Sequence, residues 1–115
     1  MGFLTTHVLD TANGCPAAGV SIQLYRLPKR ELIVDVVTNS DGRVDSPLLK
    51  DEDFKQGRYE LVFNTLPYFK SKNLQLPEPA FIDDVVIRFG IANEDDHYHV
   101  PLLVSPWSFS TYRGS

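Results

Sequence analysis

The chain contains a single cysteine, Cys15, among its 115 residues. No internal disulfide is therefore available to staple the fold, and nothing demands an oxidising compartment. Clusters of lysine and arginine are also missing. The formal net charge of -4 opposes a nucleic-acid surface, because a polyanion is bound through concentrated positive charge. No apolar run reaches the length needed to cross a bilayer, and the first ten residues, MGFLTTHVLD, lack the basic start and apolar centre of a secretory signal. These absences predict a cytoplasmic protein with neither a nucleic-acid nor a membrane partner. Helical periodicity is scarce as well, which turns attention to strands.

With 43% hydrophobic residues, the chain can build one core, so residues 1–115 are expected to form a single domain. A core of that size buries a modest fraction of its surface, and oligomerisation would add to it. Period-two segments separated by turn residues predict an all-β domain of two packed sheets, with about eight strands and one short helix. In GVSIQLYRL, Val20, Ile22 and Leu24 share one face. ELIVDVVT places Leu32, Val34 and Val36 together, and RYELVFN turns Tyr59, Leu61 and Phe63 inward. DVVIRFGIA and YHVPLLVS alternate in the same way through Val85, Ile87, Phe89 and Ile91, then Tyr98, Val100, Leu102 and Val104. NSDGR is expected to turn the chain into a short strand around Val44, and WSFSTY is the last strand. Pro67 suits the first turn of a helix running from Leu66 to about Asn73.

The same alternation says which side chains face away from the core. Leu4 and Val8 inward leave Thr5, His7 and Leu9 outward; Tyr98 and Val100 inward leave His97, His99, Leu103 and Ser105 outward. In the final strand Trp107 and Phe109 share one face, and Ser108, Ser110 and Tyr112 take the other. A face in plain contact with water has no need of Leu9 and Leu103. This surface is expected to be covered by another subunit or to line a cleft.

All three histidines lie on such faces. Imidazole titrates near neutral pH and serves as general base, general acid or metal ligand. For His97, beside Asp95 and Asp96, a plain surface role is the leading expectation. His97, His99 and His7 as a zinc site is a weaker reading, since the spacing of two strand histidines still needs a third ligand from elsewhere. No metal and no cofactor are expected. Arg43, after Asp41-Gly42, offers a fixed charge and five donors to a planar, oxygen-rich ligand. The bland alternative is an ion pair with Asp41 or Asp45.

At this point the residues resemble a known family. LTTHVLDTANGCPAAGV, TNSDGR and HYHVPLLVSPWSFSTYRGS, in that order, are similar to the transthyretin-like family, and His99 in YHVPLL with the terminal YRGS points to its 5-hydroxyisourate hydrolase branch. The resemblance implies a transthyretin-like sandwich and a homotetramer with sites at the dimer-dimer interface. It further implies hydrolysis of a cyclic amide in 5-hydroxyisourate, the small-molecule substrate, without a cofactor. It carries His7, Arg43 and His99 over as catalytic residues and Tyr112, Arg113, Gly114 and Ser115 as substrate-binding ones, so that the C-terminal end is expected to be tied down at the site. LQLPEPAFIDDVVIRF departs from the pattern, leaving the 74–84 loop undefined. The competing reading is a carrier that holds a small molecule in the same channel without catalysis.

Overall fold

The computed structural model describes all 115 residues and consists of two β-sheets packed on one core. In the first sheet β1 (Phe3–Asp10) runs parallel to β8 (His97–Val104), pairing Phe3 with His97, Thr5 with His99 and His7 with Pro101. Two-residue strands complete it: β2 (Cys15–Pro16) and β5 (Leu49–Lys50) on β1, and β9 (Phe109–Ser110) on β8. The second sheet is antiparallel throughout, in the order β4 (Glu31–Val37), β3 (Ser21–Arg26), β6 (Gly57–Asn64) and β7 (Val85–Ile91).

The period-two residues meet between the sheets. Leu4, Val8, Ile22, Leu24, Tyr59, Leu61, Phe63 and Leu102 are fully buried, and Val85, Ile91, Tyr98, Val100 and Val104 nearly so. Each such side chain contributes about 1.5–3 kcal/mol on leaving water, which fixes the register of β1 and β8 and therefore the direction of their outward residues. Thr6, buried among them, donates its hydroxyl to the Val100 carbonyl at 2.7 Å and ties the two strands together from within. The Asn13-Gly14 turn forms as expected. Asp10 caps it by accepting from the Ala12 and Asn13 amides, and Gly14, at φ +69°, takes the left-handed position.

Four local expectations need correction. Leu32 is half exposed because β4 carries a bulge: Tyr25 pairs with Leu32 but Leu24 with Val34, so Ile33 is the extra residue and the alternation changes phase there. No strand forms around Val44. The segment is instead tethered to β1 by the Val8 amide on the Gly42 carbonyl and the Leu48 amide on the Leu4 carbonyl, both at 2.8 Å, and pairing resumes only at β5. The helix α1 spans Thr65–Lys70, ending before Asn73, whose φ of +60° has already left the helical region. The last strand shrinks to β9 plus a single bridge between His99 and Gly114, and Trp107 and Phe109 are 55% and 46% exposed rather than turned into the core. The 74–84 loop has no regular structure, yet Leu74, Leu76 and Ile82 pack against the core.

Candidate active site

The parallel register of β1 and β8 sets Thr5 directly beside His99 and, on the same face, between His97 and His7. The Thr5 hydroxyl lies 2.8 Å from His97 Nε2 and 2.8 Å from His99 Nδ1. His97 is stacked on Phe3, with ring centroids 4.0 Å apart and planes 16° from parallel. His7 Nε2 is 2.8 Å from the Asp41 carbonyl. A carbonyl can only accept, so Nε2 carries the proton, and in neutral His7 the lone pair is at Nδ1. The rings of His97 and His99 stand 6.3 Å apart, each directed to Thr5, and the histidines do not converge with any other side chain into a group of three that could hold a metal ion.

Arg43 reaches this face through a built turn. Asn39 accepts from the Asp41 and Arg43 amides through its side-chain oxygen, and the Gly42 amide donates to the Asn39 carbonyl. Gly42 sits at φ +75°, and a Cβ there would fall 2.4 Å from the Val8 carbonyl. Only glycine lets the turn lie this close to β1. The same turn thus presents the Asp41 carbonyl to His7 and Arg43 to a cleft of about 140 Å³ that Thr5 also lines. Neither Asp41 nor Asp45 pairs with Arg43: none of the four ion pairs includes it, and Asp45 binds Asn39 instead.

The electrostatic result falls on His99. Its pKa lies below the ordinary imidazole value, first because burial disfavours the cation, then because Arg43, His97 and His7 add positive charge nearby. His99 is thereby kept neutral at pH 7, with a lone pair to offer. Its backbone is held by the C-terminal segment, Gly114 exchanging two backbone hydrogen bonds with His99 at 2.7 and 3.2 Å, and Gly114 packs on its ring so closely that a Cβ there would lie 3.1 Å from the imidazole.

Of the expected site residues, the structure brings His7, Arg43, His99 and Gly114 to this face. Arg113 turns elsewhere, its guanidinium 4.2 Å over the Tyr98 ring and 3.6 Å from Asp96. Tyr112 is 61% exposed and borders a cleft with Ile87, Phe89 and Tyr98 that no histidine lines. Ser115 is exposed, with no hydrogen bond to the cluster. Thr5 is the residue that strand alternation alone undervalues. Alternation puts it on the correct face, but its bond to two histidines depends on a pairing across 92 and 94 residues of sequence.

Fold and site together describe a β-sandwich protein with an arginine and a histidine cluster on the outer face of one sheet. The match of residues 4–114 to the HIUase/Transthyretin family places the chain in that family, to which it belongs. A 5-hydroxyisourate hydrolase of Pseudomonas aeruginosa is 62% identical over 117 aligned residues, covering 100% of this chain and 93% of that one. Among solved structures, (S)-allantoin synthase shares 55% identity with a TM-score of 0.96; the match covers 99% of this chain, which spans 44% of that longer one. Klebsiella pneumoniae 5-hydroxyisourate hydrolase shares 35% identity with a TM-score of 0.83, and the match covers 100% of both chains.

Proposed function

We propose that this protein is a hydrolase acting on 5-hydroxyisourate, with residues 1–115 as one functional domain. The observation that carries the reading is the cluster itself: His7, Arg43 and His99 come from three distant segments to one face, with His99 held neutral by burial and by Arg43. The 62% identity to a hydrolase of that name supports the same substrate.

The chemistry follows from the groups present. His99, uncharged, takes a proton from water as the oxygen attacks a carbonyl of the six-membered ring. Arg43 faces the carbonyl oxygen and stabilises the negative charge that develops there. His7, with Nε2–H committed to Asp41, uses Nδ1 to accept from the attacking water or to orient the ring. The carbon–nitrogen bond then breaks, the nitrogen receives a proton, and the ring opens to a ureido-imidazoline carboxylate. A general base contributes about 10²–10⁴ in rate and an oxyanion donor about 10²–10³. Tyr112, Arg113, Gly114 and Ser115 act in substrate binding, Gly114 by its packing on His99 and the other three after the surface is closed by a neighbouring subunit.

That closure is the reason to propose a homotetramer with sites between dimers. Trp107, Phe109 and Tyr112 expose large apolar side chains, and they lie in the C-terminal segment whose Gly114 bonds His99. The exposed free thiol of Cys15 suits a reducing compartment such as the cytoplasm. A carrier that merely holds a small molecule in the channel would have no use for a neutral histidine beside an ion-pair-free arginine.

The test is the ultraviolet absorbance of freshly generated 5-hydroxyisourate, followed with and without the protein and with chelator present. Decay accelerated by the protein and insensitive to chelator is expected. Decay at the spontaneous rate would overturn the hydrolase reading and leave the carrier, to be pursued by ligand binding.

A further inference from the structure

Two histidines on β8 share one hydroxyl, and that sharing constrains both. Thr5 Oγ1 has a single proton and lies 2.8 Å from His97 Nε2 and 2.8 Å from His99 Nδ1. When it donates to one ring nitrogen, the other nitrogen must carry its own proton and donate to Thr5. The two imidazoles therefore present opposite states to Thr5. If His99 Nδ1 is protonated, its Nε2 is bare and basic, and His97 Nε2 accepts from Thr5. If the Thr5 proton points to His99 Nδ1, then neutral His99 carries its proton at Nε2 and acts as a donor.

We infer that Thr5 and His97 form a proton relay behind His99, with His97 as the positioning residue that sets the tautomer of His99 and holds the proton it removes from water. The inference deepens the hydrolase reading above and rests on it for the identity of the substrate. The steps balance. Water loses a proton to His99 Nε2 as its oxygen bonds to the carbonyl carbon. The Nδ1 proton of His99 passes to Thr5 Oγ1, and the Thr5 hydroxyl proton passes to His97 Nε2. The positive charge then rests on His97, and His99 is again neutral, now with its proton at Nε2, where it can be given to the departing nitrogen. As it is given, the two transfers through Thr5 run backward, from His97 Nε2 to Thr5 and from Thr5 to His99 Nδ1, and both imidazoles return to their neutral starting state.

The surroundings of His97 suit a transient cation. Its ring lies face to face with Phe3 at 4.0 Å, an arrangement in which an aromatic face attracts positive charge. Arg43 is among the positive charges that disfavour a cation at His99, and the Asp96 carboxylate next to His97 in sequence is paired with Arg113 at 3.6 Å. Moving the charge from His99 to His97 takes it off the ring on which burial and the Arg43 charge disfavour it.

The relay is tested with Thr5→Val, Thr5→Ser, His97→Phe and the Thr5→Val/His97→Phe double variant, alongside the wild type. Each of T5V and H97F is expected to lower kcat by roughly 10- to 100-fold, the range for losing a hydrogen-bond partner that orients an imidazole, with KM unchanged. T5S, which keeps the hydroxyl, should recover most of the loss, and the double variant should be no slower than the slower single one. A T5V variant with near-normal kcat, or losses that multiply in the double variant, would overturn the relay.

An independent readout needs no substrate. Nitrogen-15 spectra of the resting wild type at a pH where both rings are neutral should show one protonated and one bare nitrogen among His97 Nε2 and His99 Nδ1. Both protonated, or both bare, would also overturn the relay. A wild type that fails to accelerate decay of 5-hydroxyisourate sinks the hydrolase reading instead, and the spectra still decide the hydrogen-bond chain.

Discussion

The outer faces of the two sheets treat charge in opposite ways. On the β3–β6–β7 sheet, Glu60 is buried between Arg30 and Arg88, each donating Nε at 2.8 and 2.9 Å to a different carboxylate oxygen. Burial opposes its ionisation, but the two guanidinium hydrogen bonds and charges win and hold its pKa below the ordinary carboxylate value. On the β1–β8 sheet, Arg43 has no acidic partner, and three histidines stand with bonds to a hydroxyl and a backbone carbonyl only. The first face has satisfied its charges and contributes to stability. The second leaves a cation and a neutral base uncompensated beside a cleft, which is the condition for reactivity.

The contrast can be broken from either side. The largest effect is expected for His99→Asn, which should lower turnover of 5-hydroxyisourate by about 10²–10⁴ with an unchanged melting temperature; near-normal turnover in a folded variant would remove His99 from the chemistry. Arg43→Gln comes next, with a loss on the order of 10²–10³. It also has a signature in pH. The active form of His99 is neutral, so activity falls as pH drops through its pKa, which lies below the ordinary value of about 6.5. Taking away the Arg43 charge should move that acidic limb upward, while burial, His97 and His7 keep part of the depression. A limb that stays in place would mean Arg43 does not act on His99.

On the satisfied face, Glu60→Gln should leave activity intact and lower stability at neutral pH by about 1.5–3 kcal/mol, the worth of a charged hydrogen bond. Because the folded pKa is depressed, this stabilisation is full above the unfolded carboxyl pKa of about 4.3 and is lost as pH falls through the folded value. The gap in melting temperature between wild type and variant should accordingly narrow in acid, and a gap independent of pH would count against the ion pairs. The smallest effect is expected for Gly114→Ala. A methyl group 3.1 Å from His99 Cβ and Cδ2 obliges the ring to shift by a few tenths of an ångström, and a several-fold fall in kcat with little change in stability should follow.

Much of the fold was legible because alternation is a local property. Tyr59, Leu61 and Phe63, and likewise Tyr98, Val100 and Leu102, are buried where their period places them. The misplacements share a different origin. Leu32 faces outward because a bulge in β4 depends on its partner strand, and Val44 lies in a tethered loop because Gly42 and Leu48 bond to β1 before any strand can form. Trp107 and Phe109 have strand spacing but lie beyond the covered part of the core, and α1 stops where Ser71, Lys72 and Asn73 close it as a turn. Among site residues, His7 and His99 could be assigned to a face from their neighbours. The direction of Arg113, held by Tyr98 and Asp96, and the double bond of Thr5 could not.

By itself the sequence determined the alternation that points His7, His97 and His99 away from the core, the glycine at position 42 that the Arg43 turn requires, and the motifs that place the chain in its family. These are encoded within a few residues, where spacing and backbone preference suffice. Only the tertiary structure decided that β1 lies parallel to β8 with Thr5 opposite His99, and that Arg43 comes near enough to depress the pKa of His99. Hydrogen bonds require ångström-scale register and electric fields require actual distances, and both arise only when segments remote in sequence are packed together.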